Sequence, residues 1–280
     1  MHAFQCGDFR FGLDRTLVMG VVNLTPDSFS DGGAHDTPAV AIAHAELLAA
    51  QGADIVDLGA ESTRPGAPVL PLEEEWSRLL PVLRALAKRG LAVSVDTYKP
   101  EVMRRALAEG AAMINDIQGF RLPGAVAAVA GSVCGLCVMH MQHDPASMQL
   151  APAYEDVVAE VHQFLAERVA ALELAGIERA RIVLDPGFGF GKTVRQNYQL
   201  MHHLDRLRAA GLPLLVGVSR KSMIGAITGR PVGERLAGSV AAALGAVAHG
   251  ASIVRVHDVA ATVDALKVWR AIASPEQAGA

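Results

Sequence analysis

The sequence has few cysteines, little net charge and no long apolar run. Three cysteines in 280 residues are an odd number for a disulfide framework, which indicates a reducing compartment such as the cytoplasm. No apolar run approaches the roughly 18 residues that span a bilayer, and the N-terminus lacks the basic and apolar regions of a signal peptide. A net charge of -4 gives no basic footprint for nucleic acid. We therefore expect a cytoplasmic protein that binds neither membrane nor nucleic acid.

Apolar residues, by contrast, are abundant and make up 51% of the sequence. This fraction lies just above the usual range of about 45–50%, so a sizeable core can form and disorder is excluded as the main state. The length fits either one large α/β domain or two ordinary domains. Because no segment has the composition shift of a linker, we predict one domain over residues 1–280, with a frayed tail over 274–280.

A physical pattern repeats along the chain: a helical stretch ends at a glycine, a short apolar run follows, and a polar residue ends the run. Glycine adopts the left-handed conformation after a helix without a steric penalty. Short runs rich in Val, Ile and Leu are typical of parallel strands that are covered on both faces. Seven glycines precede such runs: Gly52, Gly90, Gly110, Gly131, Gly176, Gly211 and Gly250. With the opening run over 17–22, the pattern predicts eight strands.

Eight strands that alternate with helices predict a (β/α)8 barrel, in which the C-terminal ends of the strands form the rim that carries the active site. An open doubly wound sheet shares most of this pattern and is the alternative. Two long polar segments, 23–36 and 61–71, follow the first and second strands. We expect both to be mobile covers that exclude water from bound substrates.

Three predicted strands end in acid or amide groups, namely Asp96, Asn115 and Asp185. A carboxylate can accept two parallel N–H bonds from an amidine-like or guanidine-like edge, which pterins and purines carry. A helix cap just after a strand is the alternative role for any one of these residues. A buried aspartate needs a partner, however, so the three together indicate a binding site for a nitrogen heterocycle.

Cationic groups follow the seventh and eighth strands, where barrels frequently bind phosphate. Lys221, Arg255 and His257 are the candidate donors, and Ser222 can begin a short helix whose free N–H groups attract anions. The alternative is that Arg220 and Arg255 form structural ion pairs. At the first strand, Asn23 offers a neutral amide oxygen suited to a hard cation such as Mg2+, although the loop after it also fits a turn-rich surface segment.

Three other strings are weaker signals. Residues 187–193 resemble a nucleotide P-loop, but only three residues separate Gly187 from the Gly-Lys pair instead of four. Cys134 and Cys137 have an odd spacing in a predicted strand, so they face opposite sides and are core residues rather than a zinc pair. His140 and His143 have no third ligand at an obvious spacing.

Seven ordered motifs, one at almost every strand end, resemble the dihydropteroate synthase family. They are NLTPDSFSDGG over 23–33, ESTRPG over 61–66, SVDTYKP over 94–100, NDI over 115–117, LDPGFGFGK over 184–192, SRKSMIG over 219–225 and RVHDV over 255–259. The resemblance extends from about residue 18 to residue 263. It implies a (β/α)8 barrel, a Mg2+-dependent transferase of folate biosynthesis and a homodimer.

The family joins p-aminobenzoate to 6-hydroxymethyl-7,8-dihydropterin diphosphate and releases diphosphate. By resemblance, the pterin is held by Asp96, Asn115, Asp185 and Lys221, and the diphosphate by Thr63, Arg255 and His257. The aminobenzoate pocket is formed by Phe29, Thr63, Pro65, Phe190, Lys221 and Ser222, and Asn23 contacts the metal. The expected catalytic residues are Asp96, Asp185, Lys221 and Arg255. Two alternatives are a pterin-dependent methyltransferase module, which does not need the cationic residues, and a catalytically silent paralogue that only binds pterin.

Overall fold

The computed structural model describes residues 3–25, 38–62, 67–142, 148, 152–208 and 211–277. Its strands are β1 Ala3–Cys6, β2 Phe9–Gly12, β3 Leu17–Asn23, β4 Ile55–Gly59, β5 Val93–Asp96, β6 Met113–Asp116, β7 Gly135–Met139, β8 Ile182–Asp185, β9 Leu215–Val216 and β10 Ile253–Val256. Its helices are α1 Pro38–Ala50, α2 Leu72–Lys88, α3 Pro100–Ala108, α4 Ala125–Ala130, α5 Val157–Leu174, α6 Val194–His202, α7 Leu204–Leu207, α8 Ser222–Thr228, α9 Leu236–Ala248 and α10 Val259–Ala273. Short 3-10 helices lie at Arg179–Arg181, Val232–Glu234 and Pro275–Gln277.

Strands β3 to β10 form one parallel sheet in the order β8-β7-β6-β5-β4-β3-β10-β9. The two end strands meet through a parallel bridge between Leu184 and Leu214, so the sheet nearly closes on itself. An open doubly wound sheet would leave its edge strands apart. The predicted (β/α)8 barrel is therefore confirmed, and every strand of the ring has its C-terminal end on the same side.

The barrel strands carry apolar residues on both faces because each face has a core of its own. Leu17 and Met19 of β3 belong to a buried cluster, the barrel-interior cluster, together with residues of six other barrel strands. Val18 and Val22 of the same strand belong to the larger cluster that also contains residues of the helices. The same division separates the two nearby thiols, since Cys137 lies in the first cluster and Cys134 in the second. The prediction that these cysteines are core residues is confirmed.

Six of the seven glycines that were expected to end helices have positive φ angles between 68° and 102°. Gly131 is the exception, with φ at -79° after the short helix α4. The left-handed prediction is wrong there because α4 ends in an ordinary turn.

An antiparallel hairpin, β1–β2, precedes the barrel and was not predicted from the sequence. Phe4 and Cys6 of β1 are fully buried in the barrel-interior cluster. Gly135 at the start of β7 packs so closely on the hairpin that a methyl group on it would lie 2.6 Å from Phe4 Cζ. The hairpin thus covers the end of the barrel opposite the rim.

Replacing Phe4 with alanine should lower the free energy of unfolding by about 3–5 kcal/mol, because it empties a fully buried aromatic site. Equilibrium urea unfolding followed by circular dichroism measures the change. Phe9→Ala is the matched control: Phe9 is only partly buried against the same cluster, so it should cost much less. Equal losses for the two variants would contradict this function of the hairpin.

The described residues include no helix that is both long and apolar enough to cross a membrane. Residues 26–36 of the predicted cover 23–36 and residues 63–66 of the predicted cover 61–71 lie outside the described residues. The mobility of both segments stays a prediction. Fraying of 274–280 and the single-domain assignment stay predictions as well.

Candidate active site at the barrel rim

The register of the parallel strands places four residues side by side at the rim. Three of them are predicted site residues, and the fourth, Gly59, lies between two of these. Asn23 pairs with Gly59, Gly59 pairs with Asp96, and Asp96 pairs with Asn115 across adjacent strands. A methyl group on Gly59 would be in van der Waals contact with both neighbours, 3.9 Å from Asn23 Oδ1 and 3.9 Å from Asp96 Oδ2. The side chains of Asn23 and Asp96 therefore face the same small region of the rim.

Arg255 connects the cationic and acidic sets. Its Nε donates to Asp57 Oδ2 at 2.6 Å, and its Nη2 donates to Asp96 Oδ2 at 3.1 Å. Asp57 lies two residues before the end of β4 and is fully buried. Arg255 is therefore ion-paired, as the structural alternative proposed, but its partners are groups of the site itself.

Asn115 is oriented by the same aspartate. Its Nδ2 donates to Asp57 Oδ2 at 3.1 Å, while the buried Oδ1 has no donor among the described residues. Asp57 Oδ1 likewise has no partner in the described part of the chain. Because a buried unpaired acceptor is costly, the two oxygens are suited to a ligand with N–H donors or to ordered water.

Asp185 and Lys221 are held by the loop that follows β8. Asp185 Oδ1 accepts from the backbone N–H of Gly187 at 2.7 Å. Lys221 Nζ donates to the carbonyl oxygen of Phe188 at 2.5 Å and lies 4.8 Å from the centre of the Phe190 ring. Thus the loop presents an acid, a cation and an aromatic face together.

Burial favours the uncharged forms of the acids and of the lysine at this site, and so shifts their pKa values. Burial raises the pKa of Asp96 to about 7, although Arg255 opposes the shift. Burial also raises the pKa of Asp185, against the charge of Lys221. The pKa of Lys221 falls to about 8, mainly through burial. Groups with strongly shifted pKa values cluster at functional sites. Asp96, Asp185 and Lys221 all have shifted pKa values and lie at this one rim.

The charge expected on His257 requires a correction. Burial, followed by repulsion from Arg255 and Arg220, lowers the pKa of His257 to about 4. Its ring is therefore neutral at pH 7, and its Nδ1 lies 3.1 Å from Ser219 Oγ. His257 can donate an N–H bond but does not supply the cation that the sequence predicted. Arg220 pairs with Asp258 at 2.5 Å, which confirms the structural alternative for that residue.

A small apolar surface lies beside the polar groups. Ile117, Met139 and Met141 are buried together, and Phe190 packs against them. Thioether and aromatic side chains of this kind provide a polarisable wall for a flat ring. The site thus combines one apolar wall with a few directed polar groups.

The remaining predicted residues divide into two groups. Ser222 begins α8, as predicted, and is exposed. Phe29, Thr63 and Pro65 lie outside the described residues. No three His, Cys, Asp or Glu side chains form a metal-binding group within the described ranges.

Asp57 is the site residue that the sequence reasoning missed. It is a charged residue inside the otherwise apolar run of β4, and this placement was the available signal. Its partner Arg255 is 198 positions away in the chain, so only the closed barrel reveals the pair.

Comparison with known proteins agrees with this geometry. The family model described as pterin binding enzyme matches residues 19–257. The dihydropteroate synthase of Neisseria meningitidis serogroup C is 54% identical over 276 residues, which cover 97% of this chain and 98% of the relative.

Two solved structures are also similar over nearly their whole length. Dihydropteroate synthase of Xanthomonas albilineans with 4-aminobenzoic acid has a TM-score of 0.92 and 54% identity, covering 97% of this chain and 98% of the other. The Burkholderia cenocepacia enzyme complexed with 7,8-dihydropteroate has a TM-score of 0.91 and 51% identity, covering 99% and 98%. The chain belongs to the dihydropteroate synthase family of pterin-binding enzymes.

Proposed function

We propose that this chain is a dihydropteroate synthase, a transferase of a non-methyl alkyl group. It joins p-aminobenzoate to 6-hydroxymethyl-7,8-dihydropterin diphosphate and forms 7,8-dihydropteroate and diphosphate. The observation that carries the proposal is the convergence of Asp96, Asn115, Asp185, Lys221 and Arg255 at one rim, in a chain 54% identical to a known synthase.

The acid and amide groups form the pterin end of the site. Asn115 Oδ1 is buried with no donor among the described residues, and an N–H of the pterin edge would satisfy it. Asp185 supplies a carboxylate for the same edge, and Lys221 supplies a donor for a ring acceptor. Phe190, Lys221 and Ser222 are the described residues that we assign to the aminobenzoate. Phe29, Thr63 and Pro65 are assigned to it by the family resemblance alone.

The reaction exchanges one bond at the pterin methylene. The C–O bond to diphosphate breaks, and the leaving oxygen keeps the electron pair. The aminobenzoate nitrogen forms the C–N bond and loses a proton to solvent water. If cleavage precedes attack, positive charge develops on the pterin methylene, and ionised Asp96 and Asp185 stabilise it. Arg255 and the neutral N–H of His257, with Thr63, bind the departing diphosphate. The arylamine is already neutral at pH 7, so no nucleophilic side chain is needed and positioning carries much of the effect.

Mg2+ is the proposed cofactor, and Asn23 is the protein residue that would contact it. Mg2+ prefers oxygen ligands, keeps several waters and is often bound through one or two protein groups plus substrate phosphates. The Asn23 amide fits this role because its oxygen faces the same rim region as Asp96. When bound, the ion neutralises charge on the leaving diphosphate.

A two-substrate assay tests the function. With Mg2+ and both substrates, purified protein should release diphosphate and form 7,8-dihydropteroate in equal amounts, and EDTA should suppress the reaction. Binding of the pterin without turnover would instead indicate a silent paralogue. Methyl transfer to a corrinoid protein would indicate the methyltransferase alternative. No diphosphate release with both substrates and Mg2+ contradicts the proposal.

The chain is further proposed to form a homodimer in the cytoplasm. Three buried free thiols support a reducing compartment. Exposed apolar residues on the last helices, Ile227, Leu236, Val268 and Ile272, support an interface there. Sedimentation velocity should give twice the chain mass, and a monomer at micromolar concentration would contradict the dimer.

A further inference from the structure

Lys192 is a buried cation that the reaction described above does not use. It follows the glycine-rich turn after β8, and only 3% of the residue is exposed. Its Nζ lies 2.9 Å from Gly187 O, 3.0 Å from Phe190 O and 3.0 Å from His140 Nδ1. An ammonium has three N–H donors, so these acceptors use all of them. No carboxylate forms a salt bridge with Lys192 in the described part of the chain.

The protonation of His140 agrees with this arrangement. Burial, with repulsion from Lys192 and Arg121, lowers the pKa of His140 to about 2, so its ring is neutral. Nδ1 must then accept from Lys192, and the ring proton belongs on Nε2. Burial lowers the pKa of Lys192 to about 7. Burying an amine costs free energy unless its hydrogen bonds to the protein compensate for the lost contact with water.

Those hydrogen bonds hold one turn against β7. The backbone N–H of Phe190 donates to Gly187 O at 3.1 Å, which closes the turn. Gly187 has a φ of 69°, and a methyl group on it would lie 1.8 Å from His140 O. The turn therefore lies in direct contact with the end of β7, and the Lys192 ammonium ties both of its ends to the His140 ring.

The same turn carries the contacts of two proposed catalytic residues. Gly187 N–H donates to Asp185, and Phe188 O accepts from Lys221 Nζ. A methyl group on Gly189 would lie 3.2 Å from Lys221 Cδ, so the Lys221 side chain runs along the turn. Asp185 is also held by its own strand, β8, so movement of the turn would mainly move Lys221 relative to the substrate.

We propose that Lys192, supported by His140, is a positioning residue for the transfer reaction: it fixes the 187–190 turn and thereby sets the place of Lys221. This inference rests on the proposed synthase function. Lys192 does not act on the substrate itself, because its three donors are all directed at protein acceptors. Its effect on turnover should pass through Lys221.

A double-mutant cycle tests this route, because residues that act through one another are not additive. Lys192→Met keeps the length of the side chain and removes the donors. In the wild-type background it should lower kcat by about 10- to 100-fold, the effect of a small misplacement of a reacting group. In the Lys221→Met background, the same substitution should change kcat by no more than about twofold. Lys88→Met, at an exposed position, is the control and should leave kcat unchanged.

His140 variants provide a second, independent test. His140→Leu removes the acceptor and should lower kcat in the same direction as Lys192→Met. His140→Asn places an amide oxygen close to the position of Nδ1 and should restore most of the activity. If Lys192→Met does not fold, this pair decides the question alone.

The outcomes separate failure of the inference from failure of the function. Wild-type protein without synthase activity would contradict the proposed function. An active wild type whose Lys192→Met variant unfolds at lower temperature but keeps its kcat would show a structural role only, and would overturn the inference. Equal kcat losses in both backgrounds, or an inactive His140→Asn variant alongside an active His140→Leu variant, would overturn it as well.

Discussion

Replacing Asp57 with alanine is expected to destabilise the fold by about 3–5 kcal/mol, because it leaves a largely buried arginine without its closest partner. Asp57 Oδ2 accepts from both Arg255 and Asn115, so the variant also frees two side chains of the site. We expect kcat/KM for the dihydropterin diphosphate to fall by about 100-fold or more, because misplaced site groups lose their positioning effect. Urea unfolding and steady-state kinetics measure the two losses.

Two further variants make the Asp57 prediction specific. Asp57→Asn keeps one acceptor for Arg255 and should recover part of the stability. Glu173→Ala breaks an exposed ion pair with Arg179 on the outer surface and should change stability by no more than about 1 kcal/mol, with wild-type kinetics. An Asp57→Ala protein with wild-type activity would show that the aspartate does not organise the site.

Replacing Asp96 with asparagine is expected to lower kcat by about 100- to 1000-fold, the usual size of losing one electrostatic stabiliser. The variant keeps the shape of the side chain but removes the charge that stabilises the pterin methylene. Asp205→Asn, on the exposed surface of α7, is the matched control and should keep wild-type turnover. Undiminished turnover in Asp96→Asn would contradict the electrostatic mechanism.

The pH dependence tests the same charge in the unmodified protein. Because the pKa of Asp96 is raised to about 7, the carboxyl is mainly protonated below pH 7 and ionised above it. If the ionised form is active, kcat/KM should rise as pH increases through about 7, since this ratio reports groups of the free enzyme. In the Asp96→Asn variant, this rise of kcat/KM with pH should be absent. A wild-type profile that is flat between pH 6 and 8 would rule out Asp96 as the ionised stabiliser.

The raised pKa of Asp96 also has a cost in stability. A carboxyl that binds its proton more tightly in the folded state makes the fold less stable as pH rises from the unfolded pKa toward the folded one. Burial of Asp96 therefore opposes folding above pH 7. Such a conflict between local preference and fold is typical of functional sites.

The sequence predicted the barrel because its eight strands are covered on both faces. Such strands need continuous apolar runs, and polar residues appear only where a run reaches the rim. Asp96, Asn115 and Asp185 stand at the ends of β5, β6 and β8 or next to them, so their convergence followed from the topology. The choice between barrel and open sheet needed the motif resemblance, because strand order is not encoded in the local pattern.

The N-terminal hairpin was missed although it carries a local signal. In β1 the buried Phe4 and Cys6 are separated by the polar Gln5, and Gly7 and Asp8 form the turn before β2. Alternation over four residues is short, and the barrel pattern does not require a preceding hairpin. Its burial depends on contacts with the distant strand β7, which no local reading provides.

Charge states were the least predictable feature of the site. His257 was expected to be cationic from its residue type, but its burial beside Arg255 makes it neutral. Asp57 and Lys192 were not selected, because their roles depend on partners on other strands or loops. Residue type and spacing identify candidate groups, whereas protonation and pairing follow from the closed fold.

A crystal structure of this protein with 7,8-dihydropteroate would show directly whether the rim binds the pterin. We expect the pterin ring at the rim, with an N–H of its edge donating to Asn115 Oδ1, its polar atoms contacting Asp185 and Lys221, and its methylene near Asp96. A pterin ring bound elsewhere, or bound at the rim without contact to any of these four side chains, would contradict this expectation.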